Sequence, residues 1–359
     1  MALLPEIVRR AVRVRLGDGL RLRPRGQKQL PSISLYFADP LADLIAAEGE
    51  DRSRPIERLS RTVFACGKAA IVVRYATKRE LDMLARRRFE RVYLLIDDDL
   101  ESLADGDGLP ADYRRRLLAY REGPFRRLMD YVTDVVAPSE NILRTYRRKR
   151  ALQLDPAQCH KAGALVHHNL TRPFDIVFAA TRSHLQDIGH IAPALAEVLQ
   201  ERPDARLTTF LNGHAPRVLR MLPNAIHLPM MDWARYRAYV AENRFHVAIA
   251  PALDTAFNKA RSISKLHDHA AFGAAGLYSR QQPFDKIVAD GKSGLLLSND
   301  PAEWRESLLD LARRRDRTLK IAAGGQVLSQ TLGDIRRVRL FWMRELGLAG
   351  AGTAGVTAC

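Results

Sequence analysis

Short apolar runs alternate with helical patterns along most of this 359-residue chain. In the first half, strand-like runs fall at 32–38, 69–75, 92–96 and 132–137, and helical patterns at about 40–48, 77–89, 111–130 and 139–149. In the second half, strand-like runs fall at 175–179, 207–211, 226–228, 247–250, 277–279 and 294–297, and helical patterns at about 184–200, 215–222, 232–242, 264–272 and 301–315. Such alternation predicts parallel sheets with helices on both faces. We predict an α/β fold of two Rossmann-like, doubly wound domains facing across a cleft, each binding ligands at the carboxyl ends of its strands.

The two series are separated by residues 151–173, which have no clear period and contain Pro156, Gly163 and Pro173. Clusters of this kind mark connections between domains. The predicted organisation is a basic N-terminal segment (1–30), an N-terminal domain (31–150), a linker (151–173), a C-terminal domain (174–330), a C-terminal helix (331–346) and a flexible, Gly-rich tail (347–359).

The composition is that of a globular enzyme, with 47% hydrophobic and 27% charged residues. No run of eighteen apolar residues could span a membrane, and the N-terminus has no secretory apolar region. Cys66, Cys159 and Cys359 are widely spaced and form no Cys-x-x-Cys motif. These features predict a cytoplasmic protein with reduced cysteines.

The net charge of +16 is concentrated in the N-terminal half. Residues 1–28 hold eight Arg and Lys against two acids, and residues 111–150 hold eleven against five. Such clusters attract phosphates of a nucleotide, an anionic membrane or a nucleic acid, although arginines on solvated helix faces would look the same. Aromatic residues do not interleave with the basic ones, so no specific nucleic-acid partner is predicted. Peripheral attachment at the inner face of the membrane is a further hypothesis.

Residues 254–276 carry the richest polar chemistry of the chain. Asn258, Arg261, Ser262, Lys265 and Asp268 stand at the entrance of a short predicted helix that follows the strand-like run 247–250. Basic side chains and helix N–H groups bind phosphates, and a carboxylate binds paired sugar hydroxyls. The segment therefore predicts a site for a phosphorylated, hydroxyl-rich ligand, and the alternative is a surface Lys–Asp pair of little energetic value.

The helix predicted at 184–200 has a second candidate anion site at its start. Ser183 and Gln186 have the spacing of a capping box, which would place Ser183 at the N-cap and expose N–H groups from Arg182 onwards. His184 would lie at the rim of the cleft, and His214 follows the strand-like run 207–211. An ordinary cap and structural histidines are the alternatives.

Acidic residues follow the strand-like runs of the first domain. Asp97, with Asp98 and Asp99, follows the run 92–96, and Asp39 follows the run 32–38. Three interpretations of Asp97 stay open: a metal ligand, a carboxylate contacting an acceptor, or part of a solvated turn. His267 and His269 point in different directions on a helix and predict no shared metal. The chain contains neither Gly-x-Gly-x-x-Gly nor a P-loop motif, which disfavours nicotinamide enzymes and ATPases.

Three motifs in the second half resemble those of the C-terminal domain of GT-B glycosyltransferases of the group 1, family-4-like type. They are Lys265-Leu-His-Asp268-His-Ala270-Ala271-Phe-Gly273, Gly291-Lys-Ser-Gly294-Leu-Leu-Leu297 and Pro301-Ala-Glu-Trp304, preceded by a loop at Thr181–Asp187. The resemblance covers about residues 171–320, and residues 31–150 only in the order of elements. Family members often carry two glutamates eight positions apart, where this chain has Ala260 and Asp268.

The resemblance implies a donor that is a nucleotide-diphosphate sugar, with no separate cofactor and no metal. The implied donor-binding residues are Arg182, Ser183, His184, His214, Asn258, Arg261, Ser262, Lys265 and Asp268. Because all ten histidines lie between 160 and 269, the first domain offers only carboxylates such as Asp39 and Asp97 as catalytic bases. Alternatively, the reaction retains the anomeric configuration and the leaving phosphate acts as the base, which fits the family resemblance.

The sequence thus predicts a glycosyltransferase that transfers a hexosyl or other sugar to a glycan or lipid-linked acceptor in cell-surface polysaccharide synthesis. The rival hypothesis is a non-catalytic protein of the same fold that binds an anionic membrane surface or nucleic acid. Ala260 and Asp268, in place of glutamates, are the residues that support the rival.

Overall fold

The computed structural model describes residues 29–46, 53–105, 111–170 and 173–348, and it contains two six-stranded sheets flanked by helices. The basic cluster at 1–28 and the part of the predicted tail from residue 349 onwards lie outside the described residues. The predicted α/β fold with two Rossmann-like sheets is confirmed.

The first sheet keeps its strands in chain order. They are β1 (Glu57–Arg58), β2 (Val63–Cys66), β3 (Ala69–Val73), β4 (Arg91–Leu95), β5 (Asp134–Ala137) and β6 (Arg150–Gln153). β1, β2 and β3 pair antiparallel, and β3 to β6 pair parallel. Alternate residues of β4 enter different apolar clusters, Val92 on one face and Tyr93 on the other, so both faces of the sheet are buried.

The second sheet is entirely parallel. Its strands are β7 (Phe174–Phe178), β8 (Ala205–Thr209), β9 (Ala225–His227), β10 (Val247–Ala250), β11 (Ala275–Ser279) and β12 (Leu295–Leu297), in the spatial order β12-β11-β10-β7-β8-β9. The strand order reverses between β7 and β10. In open α/β sheets the crevice outside the carboxyl ends of two such strands is the usual place for a ligand.

Helices connect the strands in both domains. They are α1 (Pro31–Ile33, continued by a π-helical turn Ser34–Ala38), α2 (Lys78–Arg87), α3 (Leu100–Asp105), α4 (Ala111–Tyr120), α5 (Arg126–Tyr131), α6 (Glu140–Thr145), α7 (Leu185–Glu201), α8 (Arg217–Arg220), α9 (Trp233–Glu242), α10 (Ala256–Lys259), α11 (Ser264–Ala271), α12 (Pro301–Arg313), α13 (Arg315–Leu332) and α14 (Ile335–Glu345). α2 begins at a full capping box, in which Thr77 and Glu80 each accept a hydrogen bond from the other's backbone.

The last helix, α14, returns to the first sheet. Trp342 is fully buried against Phe37 and Tyr93, and its indole Nε1 donates to the carbonyl of Tyr36 over 2.6 Å. Arg150 at the start of β6 pairs with Glu345 over 2.7 Å. The chain therefore crosses between the two domains a second time.

Two elements predicted for the start of the first domain are wrong. The run 32–38 forms a helix instead of a strand, because it is buried on all sides and short buried runs have no diagnostic period. Pro31 stands at its first helical position, where proline is favoured. The described part of the predicted helix 40–48 forms turns, and Ile45 pairs with Ile56 in an isolated β-bridge.

The sequence also missed several elements, among them β2, β6 and α13. The hairpin partner β2 turns into β3 at Gly67, whose φ of +54° lies in the left-handed region that glycine tolerates. Strand β6 extends the first sheet into the segment predicted as a linker, and its largely exposed residues give no apolar signal. Helix α13 contains the Gly324-Gly325 pair, which lowers helix propensity.

Candidate functional site

A cavity of about 260 Å³ lies where the carboxyl edges of the two sheets face each other. Its first-domain wall is formed by residues that follow β3 and β4. Its second-domain wall is formed by the loop after β7, the loop after β10, the start of α11 and the loop after β11. The lining residues used below are Arg74, Asp97, Asp98, Ser183, His184, Asn258, Arg261, Ser262 and Lys265.

Lys265 lies in the first turn of α11 and points back towards β7. Its ammonium group donates to the carbonyl of Ala179 and lies 3.4 Å from the Asp268 carboxylate. Burial lowers the pKa of Lys265, the nearby Arg261 adds to that effect, and Asp268 opposes it. The amine is therefore held by acceptors of the protein itself, with one side of the residue on the cavity.

His184 is oriented by a buried carboxylate and kept neutral by its burial. Its Nδ1 lies 2.8 Å from Asp187, which also accepts hydrogen bonds from the Asn258 side chain (2.8 Å) and the Leu253 backbone N–H (2.9 Å). Burial, reinforced by Arg261, lowers the pKa of His184 to about 4. An Nδ1–H donated to Asp187 leaves Nε2 as an acceptor, and Arg261 donates to it.

The first-domain wall is an alternating set of carboxylates and arginines. Arg74 pairs with Asp97 over 3.1 Å and also with Asp98, and Asp98 in turn pairs with Arg261 over 2.8 Å. The Ser32 hydroxyl donates to Asp97 over 2.6 Å. Arg74 has a φ of +64°, a left-handed conformation that is uncommon for a non-glycine residue and often found at functional sites.

The pKa values of the two adjacent carboxylates are shifted in opposite directions. Burial raises the pKa of Asp97, and the charge of Asp98 adds to this against the opposing effect of Arg74. For Asp98 burial acts in the same direction, but Arg74 and Arg261 together hold the pKa of its carboxyl below the usual range. Asp98 is therefore the firmly ionised member of the pair, and Asp97 is the member poised nearer to neutrality.

Seven of the predicted site residues converge on the cavity: Asp97, Ser183, His184, Asn258, Arg261, Ser262 and Lys265. The other four do not line it. Asp39 is paired with Arg237 over 2.8 Å, Asp268 faces Lys265, His214 is exposed in a turn after β8, and Arg182 belongs to the turn before α7. The roles assigned to all eleven residues stay predictions.

The predicted capping role of Ser183 is wrong. The chain enters α7 through a short 3₁₀ turn, Arg182–His184, so that Ser183 lies inside the turn and His184 takes the N-cap position without a side-chain cap. The Ser183 hydroxyl instead lies 3.0 Å from the hydroxyl of Thr181.

The sequence did not predict Arg74, Asp98 or Ser32 as site residues, although all three belong to the polar network of the cavity. Asp98 stands beside the predicted Asp97, so the Asp triplet carried a signal for it. Ser32 was hidden by the wrong strand prediction. The backbone conformation that aims Arg74 into the cleft leaves no mark in the sequence.

The described residues contain no cluster of three or more His, Cys, Asp or Glu side chains that could hold a metal. His267 and His269 are both buried, with separate partners. The first lies 2.8 Å from the hydroxyl of Ser329, and the second lies 3.0 Å from the hydroxyl of Tyr278.

No protein-family model matches the chain, and no curated protein matches it. Solved structures do. The pneumococcal O-GlcNAc transferase GtfA, in complex with UDP and GlcNAc, matches with a TM-score of 0.54 at 8% identity over 81% of this chain and 63% of that one. HepE of Anabaena, in complex with UDP and glucose, matches with a TM-score of 0.54 at 11% identity over 77% of this chain and 78% of that one.

TarM of S. aureus matches with a TM-score of 0.50 at 7% identity, over 72% of this chain and 51% of that one. This chain thus spans about half the length of TarM and less than two thirds of that of GtfA. At such identities the likeness establishes the fold alone. The chain has the GT-B fold, as its sequence predicted.

Proposed function

We propose that this protein is a glycosyltransferase that transfers a sugar from a nucleotide-diphosphate sugar to an acceptor. The observation that carries the proposal is the convergence of Arg261 and Lys265 with Arg74 and Asp97 in one cleft between the carboxyl edges of the two sheets. A diphosphate needs cationic donors, and an acceptor hydroxyl needs a carboxylate or a phosphate to receive its proton. The UDP complexes of GtfA and HepE, which share the fold, add support.

In the proposed arrangement the donor lies on the second-domain wall, with its diphosphate near Arg261 and Lys265. These two cations would stabilise the charge of the leaving group, so the proposed reaction requires no metal and no further cofactor. The acceptor, a glycan or a lipid-linked sugar of cell-surface polysaccharide synthesis, lies against the first domain. Asp97 is better placed than Asp39 to contact it, since Asp39 lies outside the cavity lining. For a retaining hexosyl transfer the leaving phosphate would be the base.

A nucleotide panel tests the donor site. Melting curves with UDP, GDP, dTDP and CMP should show one clear stabilisation, because a ligand at about a hundred times its Kd contributes about 2.7 kcal/mol. Lys265→Met should weaken binding of that nucleotide by roughly tenfold or more, since a hydrogen bond to a charged group contributes about 1.5–3 kcal/mol. The control is Lys320→Met, which removes an exposed lysine of α13. The absence of any nucleotide-induced shift in the wild type would remove the proposal.

A specific observation keeps the non-catalytic alternative open. Ala260 is 1% exposed and packs into the apolar core of the first domain, so this position offers no carboxylate to a donor sugar. Incubation with the nucleotide sugar that the panel selects separates the two functions. Slow release of the free nucleotide diphosphate supports an enzyme, and unaltered nucleotide sugar bound at full occupancy supports the alternative.

We further propose that an anionic membrane surface is a partner of the basic N-terminal half. Within the described residues that half exposes a dense set of arginines: Arg115, Arg116, Arg126, Arg127, Arg144, Arg147 and Arg148. In the described ranges no helix is both long and apolar enough to cross a bilayer. The proposed contact is therefore peripheral and electrostatic, on the cytoplasmic side of the inner membrane.

A further inference from the structure

Both terminal nitrogens of the Arg261 guanidinium have partners in this structure. One terminal nitrogen lies 2.8 Å from Asp98, the other donates to His184, and the group lies 4.8 Å from the centre of the Phe257 ring. The Arg261 side chain is only 23% exposed. A diphosphate that binds both terminal nitrogens of Arg261 therefore competes with acceptors that already hold them.

Asp98 presents to Arg261 the chemistry that a phosphate would present. It is an ionised group with two acceptor oxygens, and arginine binds carboxylates and phosphates through the same planar arrangement of donors. The acids among the described lining residues of the cavity are Asp97 and Asp98, and both belong to the first domain. The Asp98 carboxylate of the first domain thus forms an ion pair with Arg261 of the second domain.

The pair belongs to a wider contact across the cleft. Asn141, at the start of α6, donates to the carbonyl of Lys259 over 2.9 Å and to the side-chain oxygen of Gln282 over 3.0 Å. Ala260 is inserted in the apolar core of the first domain. Segment 256–262 of the second domain is therefore docked on the first domain, with Arg261 at its cavity end.

The same geometry allows the contact to open. Asp98 is also paired with Arg74, so it keeps a cationic partner when Arg261 leaves and does not become an unpaired buried charge. Such an opening would also enlarge the cavity, whose volume of about 260 Å³ is slightly below the roughly 300–1,000 Å³ of common ligand pockets.

We propose that Asp98 is an internal substitute for the donor's diphosphate, which holds Arg261 and segment 256–262 against the first domain until a nucleotide diphosphate displaces it. The proposal rests on the proposed function. In this proposal Asp98 competes with the donor for Arg261, so it weakens donor binding. If Asp98 instead positioned Arg261 for the donor, it would strengthen donor binding.

Removal of the Asp98 charge distinguishes the two roles. In calorimetric titrations of the full chain, Asp98→Asn and Asp98→Ser should bind UDP and inorganic pyrophosphate at least about fivefold more tightly than the wild type, because the competing anion is gone. Pyrophosphate reports the phosphate subsite alone, since it has neither base nor ribose. The matched control is Asp316→Asn, which removes an exposed carboxylate on α13 and should leave both affinities within about twofold.

Each result has a defined meaning. Tighter binding in the two Asp98 variants supports the displacement, most strongly if the wild type binds neither probe measurably. Unchanged or weaker binding in both variants, with a wild type that does bind UDP, overturns the displacement and leaves the proposed function intact. If neither the wild type nor the variants bind either probe, the proposed donor site and the displacement both fall.

Discussion

At the scale of single residues, partly buried charge is the property that sets this cleft apart. Arg74, Asp98 and Arg261 form a continuous chain of ion pairs across it. Breaking a buried pair by removing one partner is costly, whereas a carboxylate that keeps a second arginine retains most of its compensation. The cleft can therefore exchange partners without exposing an unpaired charge.

The buried histidines predict a loss of stability in mild acid. Burial lowers the pKa of both His184 and His267 to about 4 from an ordinary value of 6.5. Between those values the unfolded chain binds protons that the folded protein does not, so the free energy of unfolding should fall as the pH drops from about 6.5 towards about 4. Each histidine contributes up to about 1.4 kcal/mol per pH unit.

Urea unfolding at about pH 7 and about pH 5 measures this effect. His267→Gln should reduce the difference between the two conditions by roughly 2 kcal/mol, because one titrating group is removed. His190→Gln, at an exposed position on α7, is the control. An unaltered pH dependence in His267→Gln would contradict the prediction.

Ala260 and Asp268 illustrate how far residue-level reasoning reached. The sequence showed that neither position carries the glutamate of the family pattern. Tertiary contacts decide where the two side chains lie: Ala260 is buried in the first domain, and Asp268 lies beside Lys265 outside the cavity lining. The location of each side chain in the fold depends on contacts between distant segments, so the spacing of residues in the sequence could not predict it.

At the scale of elements, α13 shows a local preference overridden by packing. A Cβ atom on Gly324 would overlap the carbonyl oxygen of Lys292, so a glycine is required for the close approach of this helix to the loop before β12. The same glycine lowers helix propensity by about 1 kcal/mol relative to alanine. The requirement is visible only once the two segments are in contact.

The docking of α14 on the first sheet gives a second prediction. Trp342→Ala should lower the free energy of unfolding by about 3–5 kcal/mol, since it empties a buried site and removes the hydrogen bond to Tyr36. Leu340→Ala on the same helix, where the leucine is 65% exposed, should change it by less than about 0.5 kcal/mol. Urea unfolding of both variants is the measurement, and equal effects would show that α14 does not pack as described.

At the scale of the whole molecule, the asymmetry of charge gives a third prediction. The protein should float with anionic vesicles at low salt and be released at high salt, because surface electrostatics are screened within a Debye length. Arg147→Glu with Arg148→Glu should weaken binding by roughly tenfold or more, as each basic residue near the surface contributes about 1 kcal/mol.

The matched control carries the same change of charge in the second domain. Arg217→Glu with Lys320→Glu replaces two exposed residues outside the basic half. Equal losses in both double variants would indicate an effect of net charge alone. No flotation of the wild type at low salt would remove the membrane hypothesis.

The sequence by itself determined the class of fold, because the alternation of apolar runs and helical patterns records which faces are buried. It predicted both parallel strand series and the segment that carries Arg261 and Lys265. It failed for the run 32–38 and for β6, where burial on all sides or exposure on most sides erases the period. Those failures concern the first domain, where the resemblance to known proteins was weakest.

Only the tertiary structure decided how the cleft is assembled. The spatial order of β7 and β10, the left-handed backbone at Arg74 and the pairing of Asp98 with Arg261 join residues up to 163 positions apart in sequence. Sequence patterns indicate which face of each segment is buried. They do not indicate which side chains of other segments contact that face, and the chemistry of this cleft depends on those contacts.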